Sequence, residues 1–344
     1  MGSPQLHLAL ELPTTRSVAL RRCLTPHLYP PPPPPPPSPN PSFPAFNQKG
    51  RGESLIADGD KCMKRFSLFG PGTKYEEAAE FYSKAGNCFK VSNLWQEAGD
   101  AYMKAADVLQ KHVKSQHEAS AALMDAGNCY KRVSPPDAIG AFRGAISNYC
   151  EAGRFNQAAK LQKEIAEMYE GDSNAPEAIE NFVQAATFFE TEKSKSMANQ
   201  CMAKVAELCS SVLQPPDYAR AAKVYEDLGK GCLDSPLVKY NAKNHFLAAI
   251  FCKLAQGDAV AARQKFDQYV GLDFSFRDAR EGTLCNSLIE AFDATDPDAF
   301  ATACAEFDRV NKLDGWRITT LAAIKRGLEE QAGGGGGDGD VDLT

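Results

Sequence analysis

Residues 85–90 read Ala85-Gly86-Asn87-Cys88-Phe89-Lys90, and 41 positions later the chain reads Ala126-Gly127-Asn128-Cys129-Tyr130-Lys131. The same period returns in Pro136-Asp137, Pro176-Glu177 and Pro216-Asp217, which are 40 residues apart. Ala78, Ala98, Ala119, Ala138, Ala158 and Ala178 recur at half that interval, in steps of 19 to 21. A half-period near 20 is the length of one helix and its turn, so the full period is a helical hairpin. Self-similarity at such a spacing is the signature of a solenoid of stacked hairpins.

Each half-repeat carries the helical period. Tyr75, Ala78, Tyr82, Ala85 and Phe89 step by three and four, which lays them along one helix face. Leu94, Ala98, Ala101, Ala105 and Val108 form the next stripe, and Ala138, Phe142, Ala145 and Tyr149 another. Alanine alternating with aromatics lets helix axes approach while the neighbour's rings fill the remaining space. The three prolines suit the first helical turn, where a missing N–H costs nothing, and the acid after each complements the helix dipole. No stretch alternates with period two, so the chain is expected to be all-α. The 40-residue step exceeds the roughly 34 of ordinary tetratricopeptide repeats, which predicts TPR-like hairpins that are longer and stack with a different twist.

Outward from the repeats the composition changes. Fourteen of the 22 prolines fall in the first fifty residues, eight of them consecutive from Pro30 to Pro37, a run that favours polyproline II and buries no core. Arg16, Arg21 and Arg22 precede the run against one acid, Glu11, which leaves a transit peptide open as a second reading of this extension. After about Gln256 the period fades, and the following stretch reads as a helical bundle that caps the stack. Five glycines, Gly333 to Gly337, then lead into Asp338, Asp340 and Asp342. The expected organisation is a Pro-rich extension over 1–51, hairpin repeats over 52–255, a terminal bundle over 256–328 and a flexible acidic tail over 329–344.

The chemistry available is that of a binding protein. Of 344 residues 43% are hydrophobic and 24% charged, as in a folded soluble domain, and the net charge of −6 argues against nonspecific nucleic-acid binding. Eleven cysteines are scattered without a CxxC pair, which fits core thiols in a reducing, cytoplasmic compartment. The five histidines do not stand at ligand spacing to them, so neither metal nor cofactor is expected. The longest apolar run in the folded part, Phe246 to Cys252, is far short of a membrane span. Gly70-Pro71-Gly72-Thr73-Lys74 lacks the spacing of a phosphate loop and puts Tyr75 where a magnesium-binding hydroxyl belongs. His112 and His117 lie five apart, off any common helix face, and no GxSxG is present. What remains is surface. Lys131, Arg132, Arg154, Lys160 and Lys204 lie near repeat turns, and a solenoid lines up equivalent positions of successive repeats on one face. Lys64-Arg65-Phe66-Ser67-Leu68-Phe69-Gly70 sets three large apolar side chains beside two cations, suited either to core packing or to dipping into a headgroup layer.

Several blocks in order, Leu68-Phe69-Gly70, Ala126 to Lys131, Gly153-Arg154-Phe155 with Ala158-Ala159-Lys160, Asp234 to Tyr240, and Leu313-Asp314-Gly315-Trp316, resemble the soluble NSF attachment proteins, the α type above all. The resemblance covers about Arg51 to the C-terminus. It implies a twisted sheet of helical hairpins followed by a C-terminal bundle, and an adaptor that binds assembled SNARE complexes and recruits the hexameric ATPase NSF to dismantle them in vesicle fusion and transport. It also implies site residues: Lys131, Arg132, Arg154, Lys160 and Lys204 toward the SNARE bundle, and Phe66, Leu68 and Phe69 toward the membrane. Asp258, Glu290 and Asp293 would face the ATPase, and Leu343 would stimulate it. Asn93 and Gln200 stand where animal members carry lysine, and Ala294 where a second acid would follow Asp293, so the charged surfaces are thinner here. The expected protein is therefore a peripheral, cytoplasmic adaptor and not an enzyme. A TPR-like peptide-binding scaffold or co-chaperone is the alternative, and the 40-residue period counts against it.

Overall fold

The computed structural model of the chain describes residues 43–65 and 72–333. Among these every regular element is helical. The α-helices run α1 (Phe43–Lys64), α2 (Gly72–Val91), α3 (Trp95–Val108), α4 (Gln116–Tyr130), α5 (Pro135–Glu151), α6 (Phe155–Gly171) and α7 (Ala175–Thr191). They continue as α8 (Lys195–Ser211), α9 (Tyr218–Leu233), α10 (Ala242–Ala255), α11 (Ala259–Leu272), α12 (Arg280–Asp293), α13 (Pro297–Val310) and α14 (Gly315–Gly333). A π-helical turn, Leu109–Val113, extends α3.

The recurrent Ala-Gly-Asn segment works at close approach. Ala85 and Ala126 are fully buried, and the glycine after each receives the ring of a neighbouring helix. A Cβ on Gly86 would stand 2.8 Å from the ring of Tyr102, and one on Gly127 would collide with that of Phe142. Where the ring is a tyrosine, its hydroxyl donates to the side chain after the glycine: Tyr102 to Asn87 at 2.8 Å, Tyr82 to Asp60 at 2.6 Å and Tyr130 to Asp100 at 2.7 Å. Burial, with nearby acid charge, pushes all three phenols above their ordinary range, so they act as permanent donors.

The half-period is set by a repeated turn. Asn93, Gly153, Ser173 and Lys193 adopt left-handed φ of 57°, 67°, 58° and 56°. The next N–H in each turn reaches back five residues, as in Arg154 to the Tyr149 carbonyl at 2.8 Å and Ser194 to that of Phe189 at 2.8 Å. This closes one helix and opens the next within three residues. Pro136 and Pro176 lie in the first turns of α5 and α7, as expected. Pro216 does not: it precedes α9, where Asp217 is the N-cap and accepts the Arg220 N–H at 2.9 Å.

From α1 to α10 each helix packs on the next, so alternate helices share a layer. Side chains bridge α2, α4, α6 and α8 across one layer: Lys90 with Asp125 at 3.8 Å, Lys131 with Glu164, and Lys204 with Glu170 at 3.1 Å. The buried core forms two clusters that meet at α6. Ala158, Leu161 and Ile165 face the N-terminal cluster, while Ala159 and Ala166 face the C-terminal one.

The helices begin and end outside the expected boundaries. The α1 helix starts at Phe43, inside the stretch read as extension, and α14 continues to Gly333 with Leu328 fully buried. The division expected at 255/256 falls on a turn, but the core does not break there. Phe246 to Cys252 are buried all round α10, which packs on α9, α11, α12 and α14, while α14 also touches α8. A helix apolar on every face is one that neighbours enclose.

Candidate functional site: a basic layer and an acidic end

The five cations singled out from the sequence all fall on the α4–α6–α8 layer. Lys131 is the C-cap of α4 and Arg132 follows it. Arg154 is the N-cap residue of α6, held there by the left-handed turn at Gly153, and Lys160 lies within the first turns of the same helix. Lys204 is in α8. At 1.5 Å per residue α6 is about 25 Å long, and that length separates Arg154 from the end where Lys131 and Arg132 lie. The layer gathers the cations without clustering them at one point.

Their electrostatic states differ. Lys131 pairs with Glu164 of α6, and Lys204 is shared between Glu170 of α6 at 3.1 Å and Glu207 at 3.3 Å. Partial burial works against the Lys204 charge, but the hydrogen bonds and charges of Glu170 and Glu207 outweigh it and raise the pKa. The Arg132 guanidinium stacks 4.1 Å from the centre of the Trp95 ring, a cation–π contact that restricts its rotamers. Arg132, Arg154 and Lys160 are exposed and form no ion pair among the described residues.

At the C-terminal end, α11 begins where α12 finishes, which brings Asp258 to the same end of the bundle as Glu290 and Asp293. All three are exposed. Asp258 also caps α11, accepting the Ala261 N–H at 2.8 Å. Arg263 donates to Asn286 at 2.6 Å, which donates to Glu290 at 2.6 Å, tying α11 to α12 and orienting the acid. Asp296, missed in the sequence, adds a carboxylate at this end, where it caps α13 through the N–H groups of Asp298 and Ala299. Phe66, Leu68, Phe69 and Leu343 lie outside the described residues, as does the Pro-rich segment through Pro41.

Among the described residues nothing resembles a reaction centre. Gly72-Thr73-Lys74 is the first turn of α2, with the Lys74 ammonium donating to the Arg65 carbonyl at 3.2 Å. Among the described residues no three His, Cys, Asp or Glu side chains converge on a metal position, and no helix is long and apolar enough to cross a membrane. Burial keeps the Cys252 and Cys304 thiols protonated, pushed up to about 12 and about 11.

Besides Asp296, the residues that sequence reasoning missed are the acidic partners of the lysines. Lys90–Asp125, Lys131–Glu164 and Glu170–Lys204 are 35, 33 and 34 positions apart. A search for opposite charges a little short of one repeat apart could have found them.

A stack of helical hairpins with a charged layer defines an all-α, TPR-like scaffold. The family profile of the soluble NSF attachment proteins matches residues 50–329, and the chain belongs to that family. It is 40% identical over 279 residues to the α-soluble NSF attachment protein of Vitis vinifera, covering 81% of this chain and 94% of that one. It is 36% identical over 293 residues to the β-soluble NSF attachment protein of Bos taurus, covering 83% and 96%. The vesicular-fusion protein SEC17 of Komagataella phaffii is 32% identical over 286 residues, covering 81% and 95%. The chain thus has an adaptor's role in vesicular fusion and is not an enzyme.

Proposed function

We propose that this adaptor grips assembled SNARE complexes with the α4–α6–α8 layer and presents its C-terminal end to the NSF ATPase. The observation that carries the first half is the common layer of Lys131, Arg132, Arg154, Lys160 and Lys204, three of them exposed and without an ion-pair partner among the described residues. A four-helix SNARE bundle has acidic faces, and a cation array some 25 Å wide attracts such a rod at long range and fixes its register. For the second half, Asp258, Glu290 and Asp293 share one end of the bundle, and the Arg263–Asn286–Glu290 chain holds one of them in place. Phe66, Leu68 and Phe69 supply a peripheral membrane contact in the same reading, and Leu343 the stimulation of ATP hydrolysis.

The test is charge reversal. Lys131→Glu with Lys160→Glu exchanges attraction for repulsion at two points of the layer. Affinity for a soluble assembled SNARE complex is expected to fall tenfold or more, beyond the loss of one exposed ion pair, about 0.2–1 kcal/mol. Wild-type binding is expected to weaken as salt rises. Equal affinities for variant and wild type at low salt would remove the layer from the interface.

A further inference from the structure

The two acids on α6 point to a control on that layer. They are six residues apart, which at 100° per residue places them about 120° apart around the helix. Glu164 reaches across to Lys131 of α4, and Glu170 reaches the opposite way to Lys204 of α8. Of the five cations, then, the two nearest the flanks of α6 are held by the protein itself, while Lys160, one turn before Glu164, is not.

We propose that Glu164 and Glu170 are internal competitors for Lys131 and Lys204, which an acidic partner must displace before it gains either lysine. The inference rests on the reading of the α4–α6–α8 layer as the surface for an acidic helical bundle. The pairs are built to exchange. Side-chain exposure is 38% for Lys131 and 28% for Glu164, and 40% for Lys204 and 31% for Glu170, so water and ions reach both. Lys204 already divides its protons between Glu170 and Glu207, the arrangement of a cation that can change partners without passing through a bare state. The consequence is selectivity. A partner with scattered carboxylates gains little by breaking a pair and leaving Glu164 or Glu170 facing its own acids. A rod with carboxylates in register takes both lysines at once, and Arg132, Arg154 and Lys160 steer it there. The acids thus lower affinity for every partner and lower it most for the wrong ones, which is how repulsive elements create specificity.

The experiment compares soluble assembled four-helix SNARE complex binding to the full chain, to Glu164→Gln/Glu170→Gln and to each single variant. Glutamine keeps the length and an acceptor oxygen but removes the charge. An exposed pair is worth up to about 1 kcal/mol, so each single change is expected to tighten binding about 2- to 5-fold and the double about 4- to 25-fold, with a steeper salt dependence. Glu180→Gln/Glu190→Gln changes net charge equally from α7, in the other layer, and is expected to leave affinity as it was. The single variants carry the test if the double is too unstable to measure. Unchanged or weaker binding by the glutamine variants, while Lys131→Glu/Lys160→Glu still weakens it, overturns the competitor role and leaves the surface standing. If neither set of variants changes affinity, the surface itself is wrong and the competitors fall with it.

Discussion

A single missing Cβ sets the distance between helices in this fold. Gly86 lies under the Tyr102 ring, so Gly86→Ala must push an aromatic side chain out of a packed position. The expected loss is about 1–3 kcal/mol. Gly140, inside α5, has nothing within 4 Å of the position its Cβ would occupy. There the same substitution removes only helix-weakening flexibility and is expected to gain up to about 1 kcal/mol. Denaturant melts of the two variants should shift in opposite directions, and a matched shift would mean that close approach at Gly86 is unimportant. The Ala-Gly-Asn repeat was legible as a period. Its contacts were not, because Tyr102 and Phe142 reach it from other helices and no local pattern announces them.

Among the elements, α10 was visible in outline but not in the direction it faces. Its apolar run, Phe246 to Cys252, could be read directly, yet an all-apolar segment has no period to say which way it faces. The structure answers that it faces every way, and the core runs on across the turn that follows it. His245 sits on the same helix, stacked 6.4 Å from Tyr225, whose other neighbour at 5.0 Å is Trp316 of α14. Burial, reinforced by the Arg317 charge, lowers the His245 pKa below its ordinary value. The folded state therefore binds this proton less readily than the unfolded chain does. Stability is expected to be flat above the unfolded pKa of about 6.5 and to fall as the pH drops below it. Melting temperatures at pH 7.5 and 5.5 test this, and His245→Gln should lessen the difference between them. An unaltered difference would assign the acid sensitivity to other groups.

At the scale of the whole molecule, the sequence located the charged residues but not their state. Lys131, Arg132, Arg154 and Lys160 could be named because they lie in or beside the family blocks, whereas Lys204, expected near a turn, sits in the middle of α8. That Lys131 and Lys204 are already paired depends on how neighbouring hairpins stack, which pattern alone does not specify. The tail poses the complementary question, since Leu343 follows a glycine run and three aspartates that supply no core for it. On the proposed reading, Leu343→Ala leaves helicity, melting and SNARE binding as in the wild type while it lowers the stimulated ATPase rate on preformed complexes. Equal ATPase rates would leave the acids of the bundle as the sole contact with the motor. Whatever grips that end, its pull must pass along the chain of packed helices, and there α6 matters in another way. It gives one face to each of the two cores, with Tyr169 and Phe188 packed against both. A load applied at the C-terminal end therefore reaches the first hairpins through α6, whose contact with α7 is reinforced by hydrogen bonds from Gln162 to Asn181 and Gln184, so this helix is the joint that couples the two cores.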